Sequence, residues 1–267
     1  MTQLTFTLKH ALTQTLDCTK LTPDVLKGLT VSQIGAISLN NQHVSELFEI
    51  TGKDTENIVF KNSSHLLDNI GKNMTFGSIA IEGDAGAYLG YGLKNGTIHC
   101  KGNAQAFAAC NMVSGLLKID GNTGNFLGGA SSGLRKGMRG GTVIVKGNAG
   151  DRVGDQMRRG LILIEGNAGD YCASRMIAGT IGVFGSLGEY ACFNMKRGTL
   201  LLNNYPKLHA TIQDCGTHTL PFLNLLFKSF KPYGTKFSTI ETKRVQRFVG
   251  DAACSGNGEI LVIPSAS

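Results

Sequence analysis

The chain has 267 residues, of which 42% are hydrophobic and 7% aromatic with no Trp, so it can bury a sizeable, mainly aliphatic core. Its formal charge of +7 favours an anionic partner such as nucleic acid, phosphate or a polycarboxylate, although an ordinary solvated basic surface explains the charge equally well. Seven scattered cysteines without a CxxC pair disfavour a disulfide framework or an iron–sulfur site and predict reduced thiols. No apolar run reaches the ~18–20 residues of a membrane-spanning helix, and the first residues lack a signal-peptide core, so we expect a cytoplasmic protein without a membrane contact.

Residues 1–70 predict a small N-terminal α+β cap. Leu4, Phe6 and Leu8 alternate with polar residues, which is typical of a strand. Residues 22–38 predict one or two short helices with Thr22 or Thr30 as N-cap, and residues 44–61 contain apolar stretches suited to strands. We expect this segment to cover the open end of the repetitive region that follows, because a free strand edge exposes unpaired backbone groups.

A repeat of 19 residues occupies roughly residues 77–203. Glycines that follow short apolar stretches recur at spacings of 19, 19, 26, 19 and 19, at Gly83, Gly102, Gly121, Gly147, Gly166 and Gly185. In all seven turns the second and fourth residues after the leading glycine are apolar: Ile79/Ile81, Ile98/Cys100, Leu117/Ile119, Val143/Val145, Ile162/Ile164, Ile181/Val183 and Leu200/Leu202. This alternation predicts one strand per turn with a single buried face.

The length of the repeat indicates which kind of repeat fold the chain can form. A turn of 19 residues is too short for a strand–helix repeat and fits two or three short strands joined by Gly-Asn and Gly-Asp turns. Successive turns would stack about 4.8 Å apart. We therefore predict a mainly β fold, a right-handed parallel β-solenoid of about seven turns within residues 71–203, whose interior contains a methionine column and the small fillers Cys172 and Cys192.

Residues 204–267 predict a C-terminal helix and tail. A run of about three helical turns starts near Pro221 and ends near Pro232–Gly234. It is apolar nearly all round, which predicts burial against the solenoid or against a partner subunit. The final ILVIPS stretch, residues 260–265, predicts one last strand.

The single 26-residue turn carries the candidate site. Its seven extra residues give GGASSGLRKGMRGG, residues 128–141, and such an insertion projects a loop on one face of a repeat structure. Residues 135–159 contain seven basic residues and two acidic ones, Asp151 and Asp155, which gives a local net charge of +5. The residues assigned to an anion-binding edge are Arg135, Lys136, Arg139, Arg152, Arg158 and Arg159.

The stacking of turns sharpens this assignment and leaves one alternative open. Arg139 and Arg158 would lie on adjacent turns, where like charges repel unless an anion or an acidic residue separates them. Arginine forks suit carboxylate or phosphate. The alternative is that these arginines pair with Asp151, Asp155, Asp170 or a neighbouring subunit.

Other candidate chemistries are disfavoured. GNAGDRVGD resembles a nucleotide loop only loosely, since it recurs in every turn and no long helix follows it. His209, Asp214, Cys215 and His218 could ligate zinc, but their spacing matches no standard site, so we expect a polar turn before the helix and no metal. No catalytic set emerges, and we expect no active site in this chain.

The motif GxxGxxxG carries a family resemblance. It is intact at Gly83-Gly86-Gly90, Gly121-Gly124-Gly128 and Gly147-Gly150-Gly154, and degraded in the other three turns. With the insertion SSGLRKGMRGGTVIVKGNAGDRVGDQMRRG, it resembles the C subunit of formylmethanofuran dehydrogenase, and most closely the C-subunit branch of the bacterial formyltransferase/hydrolase complex of methylotrophs. The stretch GNAGDYCASRMIAGTI indicates the bacterial branch. The C-terminal domain of glutamate synthase shares the repeat but lacks the flanking segments.

The resemblance implies a role in one-carbon metabolism. It implies a non-catalytic scaffold subunit whose partners are the hydrolase-like A subunit, the B subunit, and the formyltransferase D subunit. Such a complex converts formyl-tetrahydromethanopterin to formate through a methanofuran-type carrier, methylofuran, which has a polyglutamate tail. Our hypothesis is that the six basic residues hold this tail or an acidic partner surface.

Three competing functions remain at this point. The chain could assist formyl transfer as an enzyme subunit, it could be the C subunit of a tungsten- or molybdenum-containing formylmethanofuran dehydrogenase, or it could be a stand-alone solenoid that binds anions or nucleic acid. Nucleic acid is disfavoured because no aromatic residues interleave the basic stretch 135–159.

Overall fold

The N-terminal segment combines short helices with strands that join the main sheet. In the computed structural model, which describes residues 2–263, its elements are β1 (Gln3–Leu8), β2 (Leu16–Asp17), α1 (Pro23–Leu26), α2 (Val31–Gly35), β3 (Ser38–Leu39), β4 (Gln42–His43), α3 (Val44–Leu47), β5 (Phe48–Thr51), β6 (Asp54–Lys61) and β7 (Leu67–Asp68). The predicted alternation in β1 is confirmed, because Leu4, Phe6 and Leu8 are all buried.

The two predicted helix caps differ in their chemistry. The hydroxyl of Thr30 accepts the N–H of Gln33 at 3.3 Å, and the side chain of Gln33 accepts the N–H of Thr30 at 2.8 Å, which is a capping box. Thr22 stands at the N-cap of α1 without a side-chain hydrogen bond. Both threonines thus stand at the predicted N-cap positions, and only Thr30 caps its helix through its side chain.

The repeat strands pair in chain order and in parallel. They are β8 (Ser78–Ile81), β9 (Thr97–Cys100), β10 (Leu116–Ile119), β11 (Arg139–Val145), β12 (Arg159–Ile164), β13 (Thr180–Val183) and β14 (Arg197–Leu202). Partner residues are offset by the length of the repeat, as in Ile79 opposite Ile98, and by the longer turn in Leu117 opposite Val143. All fourteen residues of the two predicted apolar columns are at most 1% exposed, so the predicted inward face is confirmed. The expectation of a single buried face is wrong for β11, β12 and β14, because Ile144, Leu163 and Leu201 on the opposite face are buried by the C-terminal segment.

The turns between these strands stack with the same offset. A second parallel ladder of isolated bridges joins Ala85, Ala104, Thr123, Ala149, Ala168 and Leu187. Beside it, a column of Asn and Asp side chains accepts backbone N–H groups of the next turn. Oδ1 of Asn122 accepts the N–H of Asn148, and Oδ1 of Asn148 accepts the N–H of Asn167, both at 2.8 Å. These bonds satisfy turn backbone that would otherwise lack partners.

The interior of the stack has the predicted methionine column. Met112, Met138, Met157, Met176 and Met195 are fully buried, as are Cys172 and Cys192. The leading glycine of a turn makes room for this column. At Gly160, φ is +106° and an added Cβ would lie 2.8 Å from Cε of Met138, so no larger residue fits there without strain.

The C-terminal segment extends the sheet and then covers it. Its elements are β15 (Gln213–Thr219), α4 (Leu223–Phe230), β16 (Arg244–Gly250) and β17 (Asn257–Val262), with 3₁₀ turns at Lys231–Tyr233, Lys236–Thr239 and Ala252–Cys254. β17 pairs in parallel with β14, and β16 and β15 follow in antiparallel fashion, completing a 13-stranded sheet. The predicted last strand is thus present in β17, whereas Pro264 and Ser265 lie outside the described residues.

One expectation for this segment was wrong, and the expected burial of the helix is confirmed in part. The residues from Asp214 to His218 form part of β15 rather than a polar turn, because antiparallel pairing with β16 satisfies their backbone. Helix α4 is buried on one side only, by Leu223, Phe227 and Phe230 against the outer face of the sheet, while Leu225 on the other side is 71% exposed. Among residues 2–263, no helix has both the length and the apolar character needed to cross a membrane.

Candidate functional site

The insertion loop is fixed at both ends to the turn that follows it. The N–H of Ala130 donates to the carbonyl of Asp155 at 3.1 Å, and the N–H of Gly137 donates to the carbonyl of Gln156 at 3.0 Å. The residues between these anchors include exposed Leu134, Arg135 and Lys136. The loop therefore presents its basic side chains at a defined place on the stack.

A basic groove lies beside this loop. It has a volume of about 570 Å³, and Ile177 and Ala178 form its uncharged part. The remaining lining residues are all cationic: Lys136, Arg139, Arg158, Arg159 and Arg197. Arg139 and Arg159 are partners in the strand register between β11 and β12, so adjacent turns bring two arginines to the same groove. We call this set the basic groove.

The acidic residues that could have neutralised the groove are engaged elsewhere. The carboxylate of Asp155 is 1% exposed and accepts from Nε of Arg175 at 2.9 Å and from the hydroxyl of Ser174 at 2.8 Å. Asp151 and Asp170 use Oδ1 to accept backbone N–H groups of the next turn, at 2.9 and 2.8 Å. Across residues 2–263, no carboxylate lies within 4.0 Å of a charged nitrogen of the groove.

Arg158 is the groove residue with a buried donor that lacks a partner within residues 2–263. Its side chain is partly buried, and its Nε atom is buried without a hydrogen-bond partner in the described part of the chain. A buried donor without a partner costs about 1–3 kcal/mol, more when it is charged.

A second cavity of about 460 Å³ lies on another side of the loop and shares Lys136 and Arg139 with the groove. Its remaining lining includes Lys94, Arg135 and the half-exposed Tyr91. Buried Asn111 also lines it and donates from Nδ2 to the hydroxyl of Tyr91 at 2.9 Å and to that of Ser131 at 3.2 Å. Since Ser131 belongs to the loop, these bonds hold the loop against the earlier turns.

Arg152 is the predicted site residue that the structure separates from the groove. Its guanidinium carbon lies 4.6 Å from the ring centroid of Tyr171 and 5.9 Å from that of Phe126. It takes one place in a column that is aromatic in the other turns, all with positive φ, at Tyr88, Phe107, Phe126, Tyr171 and Tyr190. Arg152 thus completes a stack of rings by a cation–π contact.

Of the six predicted residues, the structure brings Lys136, Arg139, Arg158 and Arg159 into the groove and places Arg135 only in the second cavity. Sequence reasoning did not assign Arg197. The sequence does contain a pattern that points to Arg197, because this residue directly precedes the leading glycine of its turn, as Arg159 does.

The two histidines considered as zinc ligands make local hydrogen bonds. Nδ1 of His209 lies 2.6 Å from the hydroxyl of Thr211, and Nε2 of His218 lies 2.9 Å from the carbonyl of Cys215. Residues 2–263 contain no cluster of three His, Cys, Asp or Glu side chains suited to a metal. Burial raises the pKa of the Cys172 thiol to about 12, so this thiol stays protonated and unreactive at neutral pH.

Comparison with known proteins gives the family. No family model matches the sequence. The C subunit of the formyltransferase/hydrolase complex Fhc from Methylorubrum extorquens is 36% identical over 89 residues, which are 32% of this chain and 34% of that protein. The C subunit of the tungsten-containing formylmethanofuran dehydrogenase 2 from Methanococcus maripaludis is 29% identical over 96 residues, 34% of this chain and 35% of that protein. The matched region thus spans about a third of the length of these curated relatives.

A solved structure extends the match to the whole chain. The crystal structure of the formyltransferase/hydrolase complex (FhcABCD) from Methylorubrum extorquens in complex with methylofuran contains a chain that superposes with a TM-score of 0.92. That chain is 36% identical, and the superposition covers 98% of the present chain and 100% of the other. From this full-length similarity and from the two curated relatives, the chain belongs to the C-subunit family of formyltransferase/hydrolase complexes and formylmethanofuran dehydrogenases.

Proposed function

We propose that this chain is a non-catalytic scaffold subunit of a formyltransferase/hydrolase complex of one-carbon metabolism. In this proposal the complex takes formyl from formyl-tetrahydromethanopterin, passes it through a methanofuran-type carrier and releases formate. The observation that carries the proposal is the full-length similarity to a chain of a complex that was solved with methylofuran. The partners of the chain would be the hydrolase-like A subunit, the B subunit, and the formyltransferase D subunit.

The architecture suits a scaffold. We interpret the parallel strands and the second ladder of stacked turns as a right-handed β-solenoid within residues 71–203, with residues 1–70 as its cap and residues 204–267 as its cover. A stack of short turns is a stiff rod, and each turn contacts only its neighbours. Such a rod can hold other subunits at fixed distances without contributing catalytic groups.

We further propose that the basic groove holds the polyglutamate tail of the carrier. Four arginines and one lysine converge there, and no carboxylate of residues 2–263 neutralises them. Guanidinium groups bind carboxylates through paired hydrogen bonds, which are stronger than neutral ones. The uncharged surface of Ile177 and Ala178 would face the methylene groups between the carboxylates of such a tail.

The second cavity lets the same tail extend past the loop. Lys136 and Arg139 line both spaces, so a chain of carboxylates could pass from one to the other without leaving the reach of a cation. Arg135 and Lys94 would then contact the more distant carboxylates. This arrangement gives Arg135 a role that the groove alone does not.

A second candidate is membership of a metal-containing formylmethanofuran dehydrogenase, which the similarity to the C subunit of a tungsten-containing enzyme favours. In that case this chain would keep the same scaffold role, and the metal would belong to a partner subunit. The two candidates differ in the metal content of the purified assembly.

The test is purification of the assembly from the cells that produce it, with an affinity tag on the full-length chain. We expect three further subunits in constant ratio and a polyglutamylated carrier identified by mass spectrometry. Tungsten or molybdenum in the assembly would favour the second candidate. A chain that elutes without formyltransferase and hydrolase subunits would contradict the proposed function.

A further inference from the structure

Helix α4 has an apolar stripe that nothing in the described chain covers. Leu223, Phe227 and Phe230 pack on the sheet, but Phe222 and Leu225 are 45% and 71% exposed. Leu225 is the most exposed large hydrophobic side chain among residues 2–263. Single exposed apolar side chains are ordinary, whereas contiguous exposed apolar patches mark interaction sites.

The neighbours of Leu225 extend the stripe along the helix. Positions 222, 225, 229 and 232 follow the three- and four-residue steps that place side chains on one helical face. Pro232, in the 3₁₀ turn after the helix, is exposed, and so is Pro221 just before it. The single polar member, Ser229, donates its hydroxyl to the carbonyl of Leu226 at 2.6 Å and so has its donor satisfied within the helix.

A helix that is apolar on two opposite faces is typical of one that is buried on both. The sheet accounts for one face of α4. The other face is exposed among residues 2–263.

The charges beside the stripe indicate what kind of molecule fits. Lys228, Lys231 and Lys243 surround a dimple of about 290 Å³ next to α4, together with the one acid Glu241. None of these three lysines forms an ion pair with any carboxylate in residues 2–263. Charges at the rim of an interface are complementary between partners, so the partner should carry Asp and Glu beside an apolar cleft.

A second copy of the same chain fits poorly. A twofold contact puts the same surface patch on both sides, so the lysines beside one stripe would face those beside the other. Like charges in such positions are unfavourable. The lysines thus favour a different, acidic protein.

We propose that the exposed face of α4, formed by Pro221, Phe222, Leu225 and Pro232 with Lys228 and Lys231 beside it, docks another protein subunit through an apolar cleft with an acidic rim. This inference rests on the proposed function in one respect, namely that the docked protein is a subunit of the same complex. It assigns to the C-terminal segment the role of an anchor, separate from the basic groove that would hold the carrier.

The test uses tagged full-length chain expressed with the other subunits in the producing cell. Leu225→Glu should reduce by about tenfold or more the recovery of at least one of the other subunits, as expected for a central interface residue. Lys228→Glu with Lys231→Glu places like charges opposite the acidic rim and should reduce the recovery of the same subunit. Because Leu225 is exposed in the isolated chain, the thermal unfolding midpoint of the purified Leu225→Glu chain should equal that of the wild-type chain. Val25→Glu, at an exposed apolar residue of the N-terminal segment, is the matched control and should leave recovery unchanged.

The outcomes separate the two proposals. Equal recovery of all subunits with wild type and Leu225→Glu overturns the docking face and leaves the proposed function intact. Absence of formyltransferase and hydrolase subunits already in the wild type overturns both. A purified wild-type chain that forms dimers which Leu225→Glu dissociates would show self-association instead, and that would also overturn the docking of an acidic partner.

Discussion

Asp155 joins the basic segment to the core through a single buried carboxylate. It receives hydrogen bonds from the hydroxyl of Ser174, itself buried, and from the guanidinium of Arg175. Its backbone carbonyl meanwhile accepts the N–H of Ala130 at the start of the insertion loop. Asp155 therefore acts as a structural anchor of the site rather than as a counter-charge of the groove.

We expect Asp155→Ala to lower the free energy of unfolding by about 2 kcal/mol, since it leaves buried Ser174 and partly exposed Arg175 without their acceptor. Urea unfolding followed by circular dichroism measures this change. Asp151→Asn is the control and should be nearly neutral, because Asn125 fills the equivalent place one turn earlier and accepts a backbone N–H in the same way. Equal stability of Asp155→Ala and wild type would contradict the anchoring role.

A second residue-scale prediction concerns Asp120. Burial raises the pKa of this carboxyl, but Lys146 and His99, each 2.8 Å from one of its oxygens, outweigh burial and hold the pKa below its ordinary value of 3.8. A pKa that is lower in the folded state contributes stability above the unfolded-state pKa, and that contribution is lost as the pH falls through the folded-state value.

The stability difference between wild type and Asp120→Asn should therefore be fully present above about pH 4 and should shrink as the pH is lowered below that value. Urea unfolding at several pH values between 7 and 3 tests this. In a Lys146→Gln background, the difference that Asp120→Asn makes should depend less on pH, because one of the two groups that lower the pKa of Asp120 is gone. A difference that is constant over the whole range would show that Lys146 and His99 do not stabilise the charged carboxylate.

At the scale of elements, the outer face of the sheet decides where the C-terminal segment lies. One outward position, in register across neighbouring strands, is occupied in turn by Ala80, His99, Lys118, Ile144, Leu163, Gly182 and Leu201. The column becomes apolar from β11 onward, where Phe227, Phe230 and Phe237 cover it. The packing of α4 on the sheet thus depends on apolar residues of the repeat strands as well as on those of the helix.

Gly182 makes room for that cover. An added Cβ would lie 2.8 Å from Cδ2 of Leu163 and 3.0 Å from Cζ of Phe237. Gly182→Val should displace Phe237 and lower the free energy of unfolding by about 1–3 kcal/mol, the usual cost of overpacking. Hydrogen exchange should show faster opening of the segment around α4.

Ala80→Val is the matched control for this substitution. Ala80 occupies the same outward column on β8, where no C-terminal element packs. The hydrogen-exchange rates and the stability of the Ala80→Val variant should therefore stay close to those of the wild type. Equal effects of the two substitutions would mean that the close packing of Phe237 on Gly182 does not hold the segment in place.

The elements differ in how far the sequence predicted them. The repeat strands were predictable because their two inward columns are apolar in every turn and need no distant information. The half-buried state of α4 was not, because the helix shows apolar residues on both sides and nothing local tells which side the sheet covers. The strand β15 was missed since its polar residues give no alternation, and only pairing with β16 stabilises it.

At the scale of the whole molecule, the candidate site depends on contacts between turns. The sequence predicted that the insertion loop and the arginines of the following turn lie together, and four of six residues line one groove. It did not separate Arg152 from them, because stacking of Arg152 on Tyr171 shows only when the aromatic positions of all turns are compared. It did not assign Arg197, because that residue reaches the groove across a neutral turn that contains Ile177 and Ala178.

Retention of the carrier is the most direct test of the central claim. The amount of polyglutamylated carrier per complex, determined by mass spectrometry, is compared between wild type and Arg139→Glu/Arg158→Glu, with Arg139→Gln/Arg159→Gln as a milder pair at exposed positions. Lys53→Glu/Lys61→Glu, outside the groove, makes the same change in charge as the first pair and is the control. Each lost charge-assisted contact costs about 1.5–3 kcal/mol.

We therefore predict that both arginine pairs lose the carrier by about tenfold or more while the subunits stay assembled, and that the lysine pair retains it. Carrier content equal to that of the wild type in an intact complex with Arg139→Glu/Arg158→Glu would contradict the account.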